Sequence, residues 1–289
     1  MKIAIKKIND EVVKATKRVK PLDNRPVKGA KLFDNMTGNV FISAKTNSGK
    51  TCTVAHIIEK CADRNTTVIA FCSTIYDDDS WAAIQEYCEK AKIPFIGHQS
   101  MVNDDGVNEV TALLEQLKEE AKARDELEKQ QKENGKKRRV KPLMLCDTDS
   151  EDEDDEDKPV KSKYQTPKYI IVFDDLAEEI KSKFLTQLLK KSRHYKMKVI
   201  VSSQYYLDCE RGGRKQFFYY LIYGGTEEET LEKIRKDSGV PIPKETFLKL
   251  YLNATKEQYS FFYISRKGQY RKNFNQEYSI TKLGPNYIK

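Results

Sequence analysis

The stretch Phe41-Ile42-Ser43-Ala44-Lys45-Thr46-Asn47-Ser48-Gly49-Lys50-Thr51 constrains this chain most, because it reads as a short apolar strand running into a phosphate-binding loop. Such a loop needs backbone N–H groups turned toward phosphate oxygens, a lysine reaching the β- and γ-phosphates, and a hydroxyl for Mg²⁺. Gly49, Lys50 and Thr51 supply that core, with Ala44, Lys45, Thr46, Asn47 and Ser48 as the rest of the loop. Ala44 stands where the usual pattern has a glycine, so the flanks must carry the assignment. Val40–Ser43 has the pattern of a buried strand, and Cys52–Ile58 continues as a helix with one apolar face. The loop therefore lies between strand and helix, the context that a nucleotide site requires, and ATP with Mg²⁺ is the expected ligand.

A second element supports this reading. Lys168–Leu176 is a hydrophobic strand ending in two adjacent carboxylates, Asp174 and Asp175. A carboxylate at the carboxyl end of a parallel strand faces the ligand crevice, so Asp174 is the expected partner of Thr51 at the metal. Asp175 follows where hydrolytic members of this class place the acid that polarises the attacking water. Lys198–Gln204 is another buried strand, and it ends in an amide able to hydrogen-bond both a γ-phosphate and the lytic water. Arg211 and Arg214 follow in a glycine-containing loop, and Arg193 precedes the strand. An arginine set near a neighbour's γ-phosphate would stabilise transition-state charge.

At 289 residues the chain has room for a core that needs neither disulfides nor metals. Its six cysteines and three histidines show no C-x-x-C pair and no zinc spacing, so the cysteines read as small buried hydrophobes in a reducing compartment. No apolar run approaches the roughly 20 residues needed to span a bilayer, and the N-terminus lacks the apolar core of a signal peptide. A soluble, non-secreted protein without a transmembrane segment is expected. The net charge of +8 understates the basic character, because nine of the eleven residues Asp147–Asp157 are acidic. The basic excess elsewhere points to a polyanion, most simply nucleic acid.

Composition divides the chain into a basic arm over 1–35 and a P-loop domain over 36–289, interrupted at about 119–166 by a charged insertion. The insertion is too poor in hydrophobics to offset its ordering entropy and reads as largely disordered with a helical start. Further strands are expected at Thr67–Ser73, Lys92–Ile96, Phe217–Tyr223 and Tyr259–Ile264. Helices are expected at Trp81–Lys90, from about Gly106, over Leu176–Leu189, and over Glu227–Asp237. Arg266, Lys267, Tyr270, Arg271, Lys272 and Phe274 interleave basic and aromatic side chains, as a DNA-contacting surface or a lysine-protected hairpin edge would.

The ordered set of Gly49-Lys50-Thr51, a Phe-Cys-Ser-Thr strand near Tyr76, Ile170–Leu176, Ser192-Arg193-His194, and Val199–Gln204 with Arg214 ten residues on resembles a known family. It is similar to the poxvirus-type DNA-packaging ATPases of nucleocytoplasmic large DNA viruses, within the FtsK/HerA superfamily of P-loop NTPases. The resemblance covers roughly Asn39–Gly225 outside the insertion. It implies a RecA-like α/β fold with a mainly parallel central sheet flanked by helices. It implies that Lys50 and Thr51 bind phosphate and Mg²⁺, that Asp174 completes the metal site, and that Asp175 is the catalytic carboxylate. Gln204 would be the sensor and Arg214 the arginine finger. The family's activity is ATP-driven translocation of double-stranded DNA into a preformed capsid by a homo-oligomeric ring, pentamer or hexamer. The implied partners are that DNA and a capsid or portal vertex, and the implied location is the host cytoplasm, in the viral factory, or the virion. Another DNA-translocating ATPase and a non-hydrolysing nucleotide switch remain the alternative readings of the residues.

Overall fold

The computed structural model describes residues 23–103, 105–137, 162–176 and 179–279. The outer part of the basic arm and the acidic run Asp147–Asp157 lie outside them.

The chain runs β1 (Asn39–Ser43), α1 (Lys50–Cys61), β2 (Thr67–Cys72), α2 (Asp79–Lys90), β3 (Phe95–His98), α3 (Glu109–Lys137) and β4 (Tyr169–Asp174). It continues through a 3₁₀ turn at Glu179–Lys181, α4 (Lys183–Lys191), β5 (Met197–Ser203), a second 3₁₀ turn at Tyr206–Asp208, α5 (Arg211–Arg214) and β6 (Phe217–Tyr223). Then come α6 (Glu228–Ser238), α7 (Lys244–Ala254), β7 (Phe261–Ser265), β8 (Tyr270–Lys272) and β9 (Gln276–Glu277).

These strands form one nine-stranded sheet in the order β3-β2-β4-β5-β1-β6-β7-β8-β9. The first six are mutually parallel, and the last three continue antiparallel. Every residue of β1, β4 and β5 is buried, as expected of parallel strands covered on both faces. Side-chain alternation divides the core in two. Phe41, Phe71, Phe173 and Val201 face the side that carries α3 to α7, whereas Val40, Ile42, Ala70 and Val172 pack with Val54, Ile57 and Trp81 of α1 and α2. The chain leaves β1 on one side of β5 and re-enters the sheet at β2, beyond β4. The carboxyl ends of β1, β4 and β5 therefore border a common crevice, the place where open α/β sheets bind ligands.

A lysine lies inside the second core. Lys198 of β5 is 1% exposed, donates to the carbonyls of Asn35 and Gly38 at 3.2 Å each, and lies 4.5 Å from the Phe33 ring centroid. Burial pushes its ammonium down to about 8. Leu32 and Phe33 are buried here too, so the inner end of the expected arm belongs to the packed domain.

Several expectations shift. The helix expected over Leu176–Leu189 does not form as one element, because Ser182 caps α4 by accepting from Leu185 N at 3.3 Å and the preceding residues turn as 3₁₀. Phe184, expected on its apolar face, is 40% exposed. The strand expected at Lys92–Ile96 lies at Phe95–His98, because Lys92 takes a left-handed φ of 55°. The helical start of the insertion extends to Lys137, and Glu120 within it accepts from Tyr169 Oη at 2.8 Å and pairs with Lys168. α7 lies where no helix was expected. Of the five described cysteines, all free, only Cys52 is exposed.

Candidate nucleotide-binding site

The loop after β1 turns because two of its residues take left-handed backbone conformations, Asn47 (φ 61°) and Gly49 (φ 84°). Asparagine tolerates that region, and glycine occupies it without penalty. Gly49 caps α1, which opens at Lys50 and gives the loop a helix N-terminus with its outward N–H groups. Ala44 needs no glycine. Its N–H donates to Ser203 O at 3.2 Å, extending the β1–β5 ladder, and its methyl is buried in the α1 core. The departure from the usual pattern thus falls where the chain is still strand-like.

Lys50 is buried against both carboxylates that end β4. Its Nζ lies 3.4 Å from Asp174 Oδ1 and is in direct contact with Asp175 Oδ2. The two acids differ in setting. The Asp174 side chain is 3% exposed whereas that of Asp175 is 38% exposed, and Asp175 takes a left-handed φ of 52° where the chain leaves the strand. A non-glycine residue held there carries local strain, a feature of functional sites. Gln204, one residue past β5, donates from Nε2 to Thr46 Oγ1 at 3.1 Å, so the strand-end amide reaches the loop directly.

The residues fit a hydrated magnesium ion. Asp174 Oδ1 is buried and accepts no hydrogen bond from a described residue, with the Lys50 ammonium 3.4 Å away, a place that a metal cation can take when the lysine moves to phosphate. Hard oxygen donors of this kind, with the Thr51 hydroxyl at the start of α1, suit Mg²⁺.

Tyr223 supports the loop from below, a contact unforeseen in the sequence. Its hydroxyl is 2.5 Å from Thr53 Oγ1 and 3.5 Å from Gly49 O, fixing the first turn of α1 to the end of β6. Burial pushes this phenol up to about 12. Only the tyrosine at the end of the apolar run Phe217–Tyr223 could have signalled it. Cavities of about 460 Å³ flank the loop on both sides. One is lined by Lys45, Thr46, Gln204, Tyr205, Gly225 and Glu227, the other by Thr51, Cys52, His56 and residues of α2.

Arg214 is not gathered with these groups. Its Nε lies 3.5 Å from Asp237 Oδ2, its guanidinium lies 5.2 Å from the Tyr206 ring centroid, and its side chain is 15% exposed. It precedes the amino end of β6, which runs parallel beside β1, whereas the loop follows the carboxyl end of β1, so the two lie at opposite ends of neighbouring strands. A finger must project toward a neighbour, and this guanidinium is held inside its own subunit. Arg193 and Arg211 are exposed.

The cations of the basic–aromatic segment likewise have partners within the domain. Arg266 donates to Lys215 O, Lys267 pairs with Asp34, Arg271 donates to Lys31 O at 3.1 Å, and Lys272 pairs with Glu257 at 2.6 Å. These contacts hold the β7–β8 hairpin to the domain, so the hairpin-edge reading fits them better than a DNA surface.

A mainly parallel sheet with this loop after β1 and paired carboxylates at the end of β4 is a P-loop NTPase fold. Residues 144–265 match the model of the family described as Poxvirus A32 protein, a segment that contains Asp174, Asp175, Gln204 and Arg214. The resemblance to the poxvirus-type packaging ATPases is thus met in a segment that begins within the insertion and runs to the end of β7. Uncharacterized protein 075L of Invertebrate iridescent virus 6 is 29% identical over 108 residues, 36% of this chain and 42% of that protein. The matched segment therefore spans less than half the length of that curated relative. Among solved structures, the genome packaging NTPase B204 from Sulfolobus turreted icosahedral virus 2 in complex with AMP aligns over 83% of this chain and 98% of its own, with a TM-score of 0.48 and 14% identity. The cytoplasmic domain of the Thermomonospora curvata Type VII secretion ATPase EccC aligns over 78% and 24%, with a TM-score of 0.40 and 12% identity. No described helix is long and apolar enough to cross a membrane.

Proposed function

We propose that this chain is an ATP-hydrolysing motor that moves double-stranded DNA, in the packaging of a viral genome into a preformed capsid. The observation that carries the reading is the convergence of Lys50, Asp174, Asp175 and the Thr46–Gln204 pair at the carboxyl ends of β1, β4 and β5. A nucleotide-binding switch needs the lysine and the loop; a hydrolase also needs a carboxylate and an amide facing the γ-phosphate.

In this reading the N–H groups of the loop from Lys45 to Thr51 cradle the phosphates, the Ala44 N–H being used by Ser203 O, and Lys50 leaves the two aspartates for the β- and γ-phosphate oxygens. Thr51 and Asp174 would hold an Mg²⁺ ion, which when bound would supply charge neutralisation at the phosphates. Asp175, the more exposed acid, accepts a hydrogen bond from the attacking water and orients it in line with the γ-phosphate. Gln204 fixes the other side of that water and links its position to the loop through Thr46. Catalysis then comes mostly from positioning and charge stabilisation. The motor acts as a homo-oligomeric ring in the cytoplasm of an infected cell, with a capsid or portal vertex as its docking partner. Arg214 in its present contacts gives no support to a trans finger.

The test is Mg²⁺-dependent ATP hydrolysis by the purified chain with and without long double-stranded DNA, beside Lys50→Ala and Asp175→Ala. Turnover that rises with DNA and vanishes in both variants is the expected result. Nucleotide binding without turnover, at concentrations that favour assembly, would replace the motor with a switch.

A further inference from the structure

Between Lys181 and Lys198 the sequence holds seven lysines and arginines and no acidic residue. The fold buries one of the seven, Lys198, and leaves Lys181, Lys183, Lys190, Arg193 and Lys196 exposed, with Lys191 half-exposed. None of these six forms an ion pair or a side-chain hydrogen bond with any described residue. Lys60, Lys90, Lys244, Lys267 and Lys272 each pair with a carboxylate; Arg64, Lys92, Lys215, Lys233 and Lys249 are exposed and pair with no described carboxylate, but they are scattered along the chain, whereas these six fall between Lys181 and Lys196 with no acid among them.

The arrangement is ordered. α4 buries Leu185, Leu188 and Leu189 against the sheet, and Asn39 Nδ2 donates to Leu189 O at 3.0 Å. Its outer stripe therefore presents Lys183, Gln187 and Lys190 at helical spacing, with Lys183 and Lys190 about 10 Å apart along the axis. The turn that follows adds Arg193 and Lys196. A stripe of this length meets more than one phosphate of a nucleic-acid strand, and four of the five side chains Lys183, Gln187, Lys190, Arg193 and Lys196 are cations suited to phosphate oxygens.

From this we infer that α4 and the turn Ser192–Lys196 form the duplex-DNA contact surface, binding the phosphate backbone without sequence preference. The inference rests on the DNA-motor reading and deepens it. It also transfers the contact away from the β7–β8 hairpin, whose cations are used internally. The position gives the contact a route to chemistry. The segment leaves β4 just after Asp175 and returns into β5, which ends next to Gln204. A load on α4 therefore acts on a rigid element that joins the water-polarising carboxylate to the sensor amide.

The test is the triple variant Lys183→Gln/Lys190→Gln/Lys191→Gln, which keeps helix propensity and removes charge. A control carries Lys60→Gln/Lys90→Gln/Lys244→Gln, three lysines that already have carboxylate partners. Duplex binding is measured by fluorescence anisotropy across a salt series, with basal and DNA-stimulated ATP hydrolysis and thermal unfolding alongside. The α4 variant should bind duplex at least tenfold more weakly, and its log–log salt slope should be smaller by about 3, one per lost phosphate contact. It should lose DNA stimulation while keeping basal turnover and melting temperature, and the control should behave as the unaltered protein. Equal binding by the α4 variant and the unaltered chain overturns the surface and leaves the motor reading standing. Equal weakening in the control overturns it too, since the effect would then be net charge. An unaltered chain that hydrolyses ATP but binds no duplex overturns the DNA-motor reading itself, and this surface with it.

Discussion

Lys50 Nζ lies 3.4 Å from Asp174 Oδ1, and both side chains are almost wholly buried. The carboxylate oxygen has no hydrogen-bond donor of its own among the described residues. The lysine that is expected to meet phosphate is thus held by the acids that are expected to meet metal and water, and nucleotide entry must exchange one set of partners for the other.

That exchange separates the two acids. Asp175→Asn should keep nucleotide affinity within about threefold while turnover falls by 10² or more, the usual range for loss of a positioned proton acceptor. Asp174→Asn should instead weaken Mg²⁺-nucleotide binding itself. Titration with a fluorescent ATP analogue and steady-state hydrolysis on the same samples distinguish the two. Equal loss of affinity in both variants would remove the division of roles.

Tyr223→Phe removes the hydroxyl that lies against Thr53 and Gly49. The buried Thr53 hydroxyl loses its partner, which costs about 1 kcal/mol, and the first turn of α1 loses its tie to β6. A melting temperature lower by a few degrees and a several-fold weaker nucleotide affinity, with the turnover of bound ATP little changed, are the expected results.

Arg214→Ala should destabilise the isolated subunit by roughly 1–3 kcal/mol, because it removes the cation beside Asp237 and the guanidinium packed on Tyr206. Urea unfolding at concentrations too low for assembly measures it. Unchanged stability with abolished hydrolysis only in the assembled form would restore this residue as a trans finger.

Lys198 should make stability rise with pH. Its ammonium is pushed from 10.5 down to about 8 by burial, so above about pH 8 the folded chain releases a proton that the unfolded chain retains. The unfolded state then binds more protons, and stability climbs as pH increases, by about 3 kcal/mol if the full step were traversed. The buried Cys61 thiol, raised by desolvation, works in the opposite direction at higher pH. The clean comparison is therefore with Lys198→Met between about pH 7 and 9, where the unaltered chain should gain on the variant. Parallel curves would mean that the lysine does not titrate in this window.

The strands were legible because parallel strands covered on both faces must be apolar throughout, as Ile170–Phe173 and Val199–Val201 are. The loop and the acid pair were legible because their chemistry fixes residue types over short spacings. Lys198 was not, since a lysine in a strand normally marks a solvent face, and only the carbonyls of Asn35 and Gly38 and the ring of Phe33 make its burial tolerable. The break before α4 was hidden because Leu176, Ile180 and Leu185 are all buried, and apolar spacing does not register a 3₁₀ turn or the cap at Ser182.

By itself the sequence determined the class of fold and the places of the loop after β1, the acids that end β4 and the amide after β5, all local patterns whose physical requirements span a few residues. The tertiary structure alone decided which cations are spent and which are free. The β7–β8 hairpin and Arg214 are engaged within the domain, whereas the lysines of α4 form no ion pair with any described residue. Charge pairing depends on which distant residues the sheet order brings within a few ångströms, as with Lys267 and Asp34 or Arg214 and Asp237, and no spacing along the chain encodes that.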